Sequence, residues 1–336
     1  MKKTILIICL IFIQFGFSQT DSLTYYNNNG EYEKAIKFGK RKVQNNVNKD
    51  VDYIISIKNL AEACINAEKF DLAEKYYLEL SKLLISSLGE EDELVAKCYN
   101  DLASLYYRLA EYQKAESLFL DSLRLMKNIF GENHPDYAKA LEGLALLYNN
   151  QGAYQKAEPL FLKCFEIRKK VLGKNHPDYI ASLNNLAFFY YSKGDYQKAV
   201  PLYLQVIEIT KKSSENHINY ATSLNNLATL YNDQGNSQKA EPLYLKAIEI
   251  RKKNSGENHT DYANSLNNLA IFYNEQGAYQ KAESLCLQAL EIYKKVLGEN
   301  HPDYATSLDN LASLYDNQGK YLKAEPFYLK ALETRK

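Results

Sequence analysis

The sequence predicts an all-α solenoid of stacked antiparallel helix hairpins, and three observations carry that reading. The first is a fixed period: the alanines of the Lys-Ala-Glu segment, Ala73, Ala115, Ala157, Ala199, Ala240, Ala282 and Ala324, recur every 42 residues with one step of 41. A period in this range marks stacked supersecondary units. The second is helical striping within the last unit, where Leu308, Leu311, Ala312 and Tyr315 fall at i, i+3, i+4 and i+7, one face of a helix. Ala324, Phe327, Tyr328, Ala331 and Leu332 form a second stripe. The third is the break between them, Asn317-Gln318-Gly319, with glycine where a helix C-terminus takes a left-handed residue.

Leu-x2-Leu-Ala-x2-Tyr (Leu308, Leu311, Ala312, Tyr315) followed by Ala-x3-Tyr (Ala324, Tyr328) resembles the tetratricopeptide pattern, with Leu for its Trp and Ala for its Gly. The long period and the His-Pro-Asp-Tyr-Ala-x-Ser-Leu-Asn-Asn-Leu-Ala wording are similar to the kinesin-light-chain type of this repeat, which is also found in bacterial multidomain proteins. The resemblance implies a right-handed superhelical solenoid whose first helices line a concave side.

Residues 1–18 read as a secretory signal: Lys2-Lys3, then an apolar run from Ile5 to Phe17, with cleavage expected after Ser18. The run is too short for a spanning helix, which needs about 20 residues. Residues 19–51 follow as a shortened capping hairpin and a polar linker. Seven units then occupy about 52–93, 94–135, 136–177, 178–218, 219–260, 261–302 and 303–336, with Glu68 and Ala110 replacing the turn glycine in the first two. The single-residue deletion falls near Ser213-Ser214. Pro135, Pro177 and Pro302 open first helices, where proline costs no hydrogen bond, whereas Pro159, Pro201, Pro242 and Pro326 lie early in second helices. No polar helix covers the last apolar face before Lys336, which suggests a continuing chain or a partner.

Forty-one basic and 41 acidic residues give zero net charge, so nothing draws the chain to nucleic acid or to an anionic membrane. Beyond Cys9, Cys64, Cys98, Cys164 and Cys286 fall on packing positions of different units and read as packed thiols rather than a disulfide framework. The five histidines, His134, His176, His217, His259 and His301, share one slot before a helix start. Units about 10 Å apart cannot gather them at the ~2 Å a metal needs. No nucleophile elbow, Cys/His pair or phosphate loop is present. His-Pro-Asp and Lys-Ala-Glu recur as scaffold residues do. No catalytic residue, metal site or cofactor is expected, and the chain is read as a non-enzyme.

The candidate binding surface is the far side of the first helices. One slot reads Asn59, Asp101, Gly143, Asn185, Asn226, Asn268 and Asn310; the preceding slot includes Asn184, Asn225 and Asn267. An amide both donates and accepts, so it can bond a peptide backbone whatever its side chains. Units about 10 Å apart match three residues of extended chain at about 3.3 Å each. Kinesin-light-chain-like repeats are similar in using such an asparagine ladder, from which Asp101 and Gly143 depart. Leu146, Phe188, Tyr191 and Ile271 add an apolar floor. The expected function is a non-catalytic protein-interaction scaffold, exported to the periplasm or cell surface, that holds an extended peptide or protein segment. The alternatives are the recognition arm of a longer chain bearing a caspase-like (CHAT) peptidase or sensor kinase, and a self-associating spacer.

Overall fold

The computed structural model describes residues 22–28, 31–46, 50–211 and 217–335. The expected signal, residues 1–18, and the deletion at Ser213-Ser214 lie outside the described residues, in which there are sixteen helices and no strand. None of the helices is long and apolar enough to cross a membrane.

The chain divides into two compact units, the first ending at Val171 and the second beginning at Leu172. The first holds α1 (Ser22–Asn28), α2 (Tyr32–Asn45), α3 (Val51–Asn66), α4 (Phe70–Leu88), α5 (Glu93–Arg108), α6 (Tyr112–Phe130), α7 (Pro135–Asn150) and α8 (Tyr154–Val171). The second holds α9 (Pro177–Ser192), α10 (Tyr196–Thr210), α11 (His217–Asp233), α12 (Ser237–Ser255), α13 (Thr260–Glu275), α14 (Tyr279–Val296), α15 (Pro302–Asn317) and α16 (Tyr321–Thr334). In each unit consecutive helices pack as hairpins, and first helices touch first helices, α5 on α7 in one unit and α9, α11, α13 and α15 in series in the other.

The Lys-Ala-Glu segment is the joint of this packing. Its alanines are at most 2 % exposed, so the second helix can approach closely. The lysine lies over the tyrosine ring of its own hairpin, Lys114 over Tyr106, Lys156 over Tyr148 and Lys281 over Tyr273, at 4.7–4.8 Å. The glutamate accepts from the tyrosine hydroxyl of the next hairpin: Tyr106 donates to Glu74, Tyr148 to Glu116, Tyr273 to Glu241 and Tyr315 to Glu283, at 2.6–2.7 Å. One motif therefore closes its own hairpin and ties on its neighbour, which accounts for its recurrence.

At Tyr231 the tie is missing, because Val200 stands where the glutamate would be, and Tyr231 is half-buried where Tyr273 and Tyr315 are buried. Val200→Glu is expected to raise stability by about 1 kcal/mol, the worth of a hydrogen bond to a charged acceptor less the cost of ordering it, read as a higher midpoint in urea unfolding.

The helix ends follow the sequence. His134, His176, His259 and His301 are N-caps, each imidazole Nδ1 accepting the backbone N–H two residues on at 3.1–3.2 Å. In three of these helices proline supplies the first residue, as expected. The later prolines, Pro159, Pro201, Pro242 and Pro326, are the sixth residues of their helices. They lie past the first turn, on the exposed side, where the carbonyl that loses its N–H partner can be hydrated.

Glycine closes the first helix of each later hairpin at positive φ, as at Gly152 (70°), with Ala153 N–H bonding back to Tyr148 C=O at 2.8 Å. Glu68 and Ala110 adopt the same conformation, φ 56° and 57°, without being glycine. A left-handed alanine is strained, so Ala110→Gly is expected to raise stability by about 0.5–1 kcal/mol after the entropy of glycine is counted, visible as a higher melting temperature.

All four described cysteines are buried thiols. Burial pushes Cys64 up to about 11 and Cys98 and Cys286 up to about 12, which keeps them protonated and unreactive near neutrality.

Candidate functional site

Within each unit a first helix packs on its own second helix and, where a hairpin of the same unit precedes it, on that hairpin's second helix as well, so its buried arc is wide. What stays open is a narrow strip at i, i+4, i+7 and i+11. In α11 it is Thr222, Asn226, Thr229 and Asp233; in α13 it is Asn264, Asn268, Ile271 and Glu275; in α15 it is Thr306, Asn310, Ser313 and Asn317; all of these are half-buried or exposed.

In the second unit the strip repeats asparagine at its centre: Asn185, Asn226, Asn268 and Asn310, every one half-buried. Asn226 lies beside the buried Tyr203 hydroxyl, whose pKa burial raises and that amide lowers. The side-chain amides of Asn268 and Asn310 carry no hydrogen bond to other described residues. A half-buried amide keeps an accessible end that can donate to or accept from a group outside the protein.

Phe188 and Ile271, one turn further along the strip, are 42 % and 39 % exposed on helices that bury Phe189 and Phe272. Tyr191 packs between Phe188 (6.1 Å) and Tyr196 (6.0 Å) and donates its hydroxyl to Asp233 Oδ2 at 2.5 Å. Burial first, and the Asp233 carboxylate second, raise the pKa of Tyr191. Asn232 donates to Glu275 at the same end of the next pair of helices. The apolar groups thus sit at the carboxyl ends of α9 and α13 beside fixed carboxylates.

In the first unit the same strip is already occupied by the protein. Asn59 Nδ2 donates to Thr24 Oγ1 of α1 at 3.1 Å, and Asp101 accepts from Lys139 Nζ at 3.4 Å. Gly143 leaves room for a ring: a Cβ there would stand 2.3 Å from Phe119 Cε1. Leu146 is half-buried next to it.

The preceding slot corrects the expectation that it faces the open side. Asn184, Asn225 and Asn267 are only 6–8 % exposed. Neighbouring residues on a helix are separated by about 100°, so a residue beside the row turns into the joint between hairpins. Ser223 Oγ donates to Asn184 Oδ1 and Ser307 Oγ to Asn267 Oδ1, and these amides hold hairpins together. The slot also hosts charge pairs that the sequence reading did not identify: Arg168 grips Glu142 through two bonds at 2.7 and 2.9 Å, and Arg335 pairs with Asp309 at 2.5 Å. Reading the two slots against each other through the repeats would have found them.

The repeat geometry meets its counterpart in a family model described as tetratricopeptide repeat, which matches residues 53–128, 106–170, 136–212, 178–253 and 261–336. The chain belongs to the tetratricopeptide repeat family. Among curated proteins none matches it. Of solved structures, the nearly identical TPR-like repeats of a putative kinesin light chain from Podosopora anserina are 29% identical, over 60% of this chain and 96% of that one, with a TM-score of 0.50. BtubC (BKLC) from P. vanneervenii is 21% identical over 70% of this chain and 93% of its own, TM-score 0.55. A Rap protein complexed with Competence and Sporulation Factor is 15% identical over 99% and 91%, TM-score 0.65. The last two show that the tetratricopeptide fold is shared.

Proposed function

We propose that this tetratricopeptide repeat chain is a non-catalytic protein-interaction scaffold, and that the open strip of its second unit holds an extended peptide or protein segment by its backbone. The observation that carries this reading is the recurrence of half-buried Asn185, Asn226, Asn268 and Asn310 on successive first helices, with Phe188 and Ile271 exposed beside them. A Rap protein of the same fold has been crystallised in complex with the Competence and Sporulation Factor, in keeping with a scaffold that holds a partner. The amino-terminal basic and apolar sequence supports export, which fractionation of cells and amino-terminal sequencing of the product tests; a mature terminus at Gln19 in the exported fraction is expected, and an uncleaved cytoplasmic product contradicts it.

The binding reading is tested with immobilised full chain and a pooled library of extended peptides of about twelve residues, three for each of four repeats. The Asn185→Ala, Asn226→Ala, Asn268→Ala triple variant removes three hydrogen bonds of about 1 kcal/mol each. Retention is expected to fall by about 100-fold at unchanged helicity. Equal retention by variant and parent removes the asparagine row from the function.

A further inference from the structure

Arg251, near the end of α12, has a guanidinium pressed between two first helices. Its Nη1 donates to the Asp261 carbonyl (2.9 Å) and to Ser265 Oγ (2.8 Å), and its Nη2 to Thr222 Oγ1 (3.2 Å). The three contacted atoms are neutral, and the Asp261 carboxylate acts on the guanidinium without a bond to it. The same helical position carries Arg168 and Arg335, and both of those pair with a carboxylate from the slot before the asparagine row, Glu142 and Asp309. Opposite Arg251 that slot holds Asn225, whose Oδ1 is buried without a partner. Among the described residues Arg251 is therefore the arginine of this slot whose carboxylate is missing.

A charge taken out of water without a bonded counter-ion is costly, and burial lowers the pKa of this guanidinium more than the Asp261 carboxylate raises it. Other repeats show that the fold has cheaper solutions: Thr210 and Tyr293 occupy the position opposite Asn184 and Asn267. The placement matters too. Thr222 precedes Asn226 by four residues on the same strip, a rise of about 6 Å, so the guanidinium stands one turn from the row that bonds the backbone. A guanidinium presents a planar fork to a carboxylate, and Arg251 has N–H groups left over beyond the three bonds above.

We propose that Arg251 receives a carboxylate from the bound segment, so that the partner is an acidic peptide whose Asp or Glu supplies in trans what Glu142 and Asp309 supply within the chain. This deepens the peptide-scaffold reading and rests on it. Asn225 keeps the site open by leaving the counter-ion out.

The test uses the full chain and a pooled library of extended peptides carrying either Glu or Gln at each position, otherwise Ser, Thr, Ala and Leu. The retained pool is expected to favour Glu over Gln by about tenfold or more at one position, the scale of a hydrogen bond to a charged group. Arg251→Gln is expected to abolish that preference. Asn225→Asp, which keeps the arginine and restores an internal carboxylate, is expected to abolish it as well while raising the melting temperature; a purely structural arginine would not respond this way. Retention without a Glu preference overturns the assignment of Arg251 and leaves the groove standing. A Glu preference that survives both variants also overturns it. No retention by the parent chain rejects the groove and this inference together.

Discussion

Gly143→Ala is expected to destabilise the protein by about 1–3 kcal/mol, although alanine is the better helix former by about 1 kcal/mol. The added Cβ meets Phe119 Cε1 at 2.3 Å and Cζ at 2.6 Å, distances at which something must move. Phe119 is 1 % exposed and fully packed, so the ring cannot retreat without disturbing the joint between α6 and α7, and overpacking of this kind costs more than the propensity gain. Chemical denaturation gives the loss. Pairing the substitution with Phe119→Leu is expected to restore part of it, so that the double variant loses less than the sum of the singles. A stabilised Gly143→Ala would mean that the glycine is unrelated to the ring.

Alkaline pH is expected to unfold the array at a point set by its tyrosine ties. Burial, helped by the neighbouring glutamates, pushes Tyr148, Tyr273 and Tyr315 up to about 12 from an ordinary 10.0. A tyrosine whose folded pKa lies above its unfolded one contributes stability in full below the unfolded value. That contribution is lost as pH rises through the folded value, here between about 10 and 12. The unfolding midpoint is therefore expected to hold steady from neutrality to about pH 10 and then fall, with tyrosinate absorbance rising in step with helix loss. Replacing Tyr148, Tyr273 and Tyr315 with Phe is expected to lower stability near neutrality and to flatten the alkaline fall.

Much of this structure was legible because the chain repeats itself. The turn glycines, the first-helix prolines and the packing alanines each occupy one slot, and a slot filled the same way in successive hairpins reports a shared local geometry. Gly143 and Asp101 looked like gaps in the asparagine row from sequence alone; in the folded chain one makes room for Phe119 and the other meets Lys139. The reading failed where burial depends on two neighbours at once. Asn184, Asn225 and Asn267 adjoin the open row in sequence, yet all three are buried, and the following hairpin reaches Asn184 through Ser223 and Asn267 through Ser307. Arg251 stands beside the exposed Lys252 and Lys253 in sequence, and its contacts come from α11 and α13, ten to 29 residues away.

The claim on which the functional account turns is that amides of the second unit hold a segment by its backbone at a spacing set by the hairpins. Ester replacement of one backbone amide at a time along a retained peptide tests it directly, since an ester removes an N–H donor and leaves the side chains alone. Affinity losses that recur at every third residue, and that vanish in the Asn185→Ala, Asn226→Ala, Asn268→Ala variant, are expected from hairpins about 10 Å apart. Losses with no such spacing, or a peptide indifferent to every ester, would contradict it.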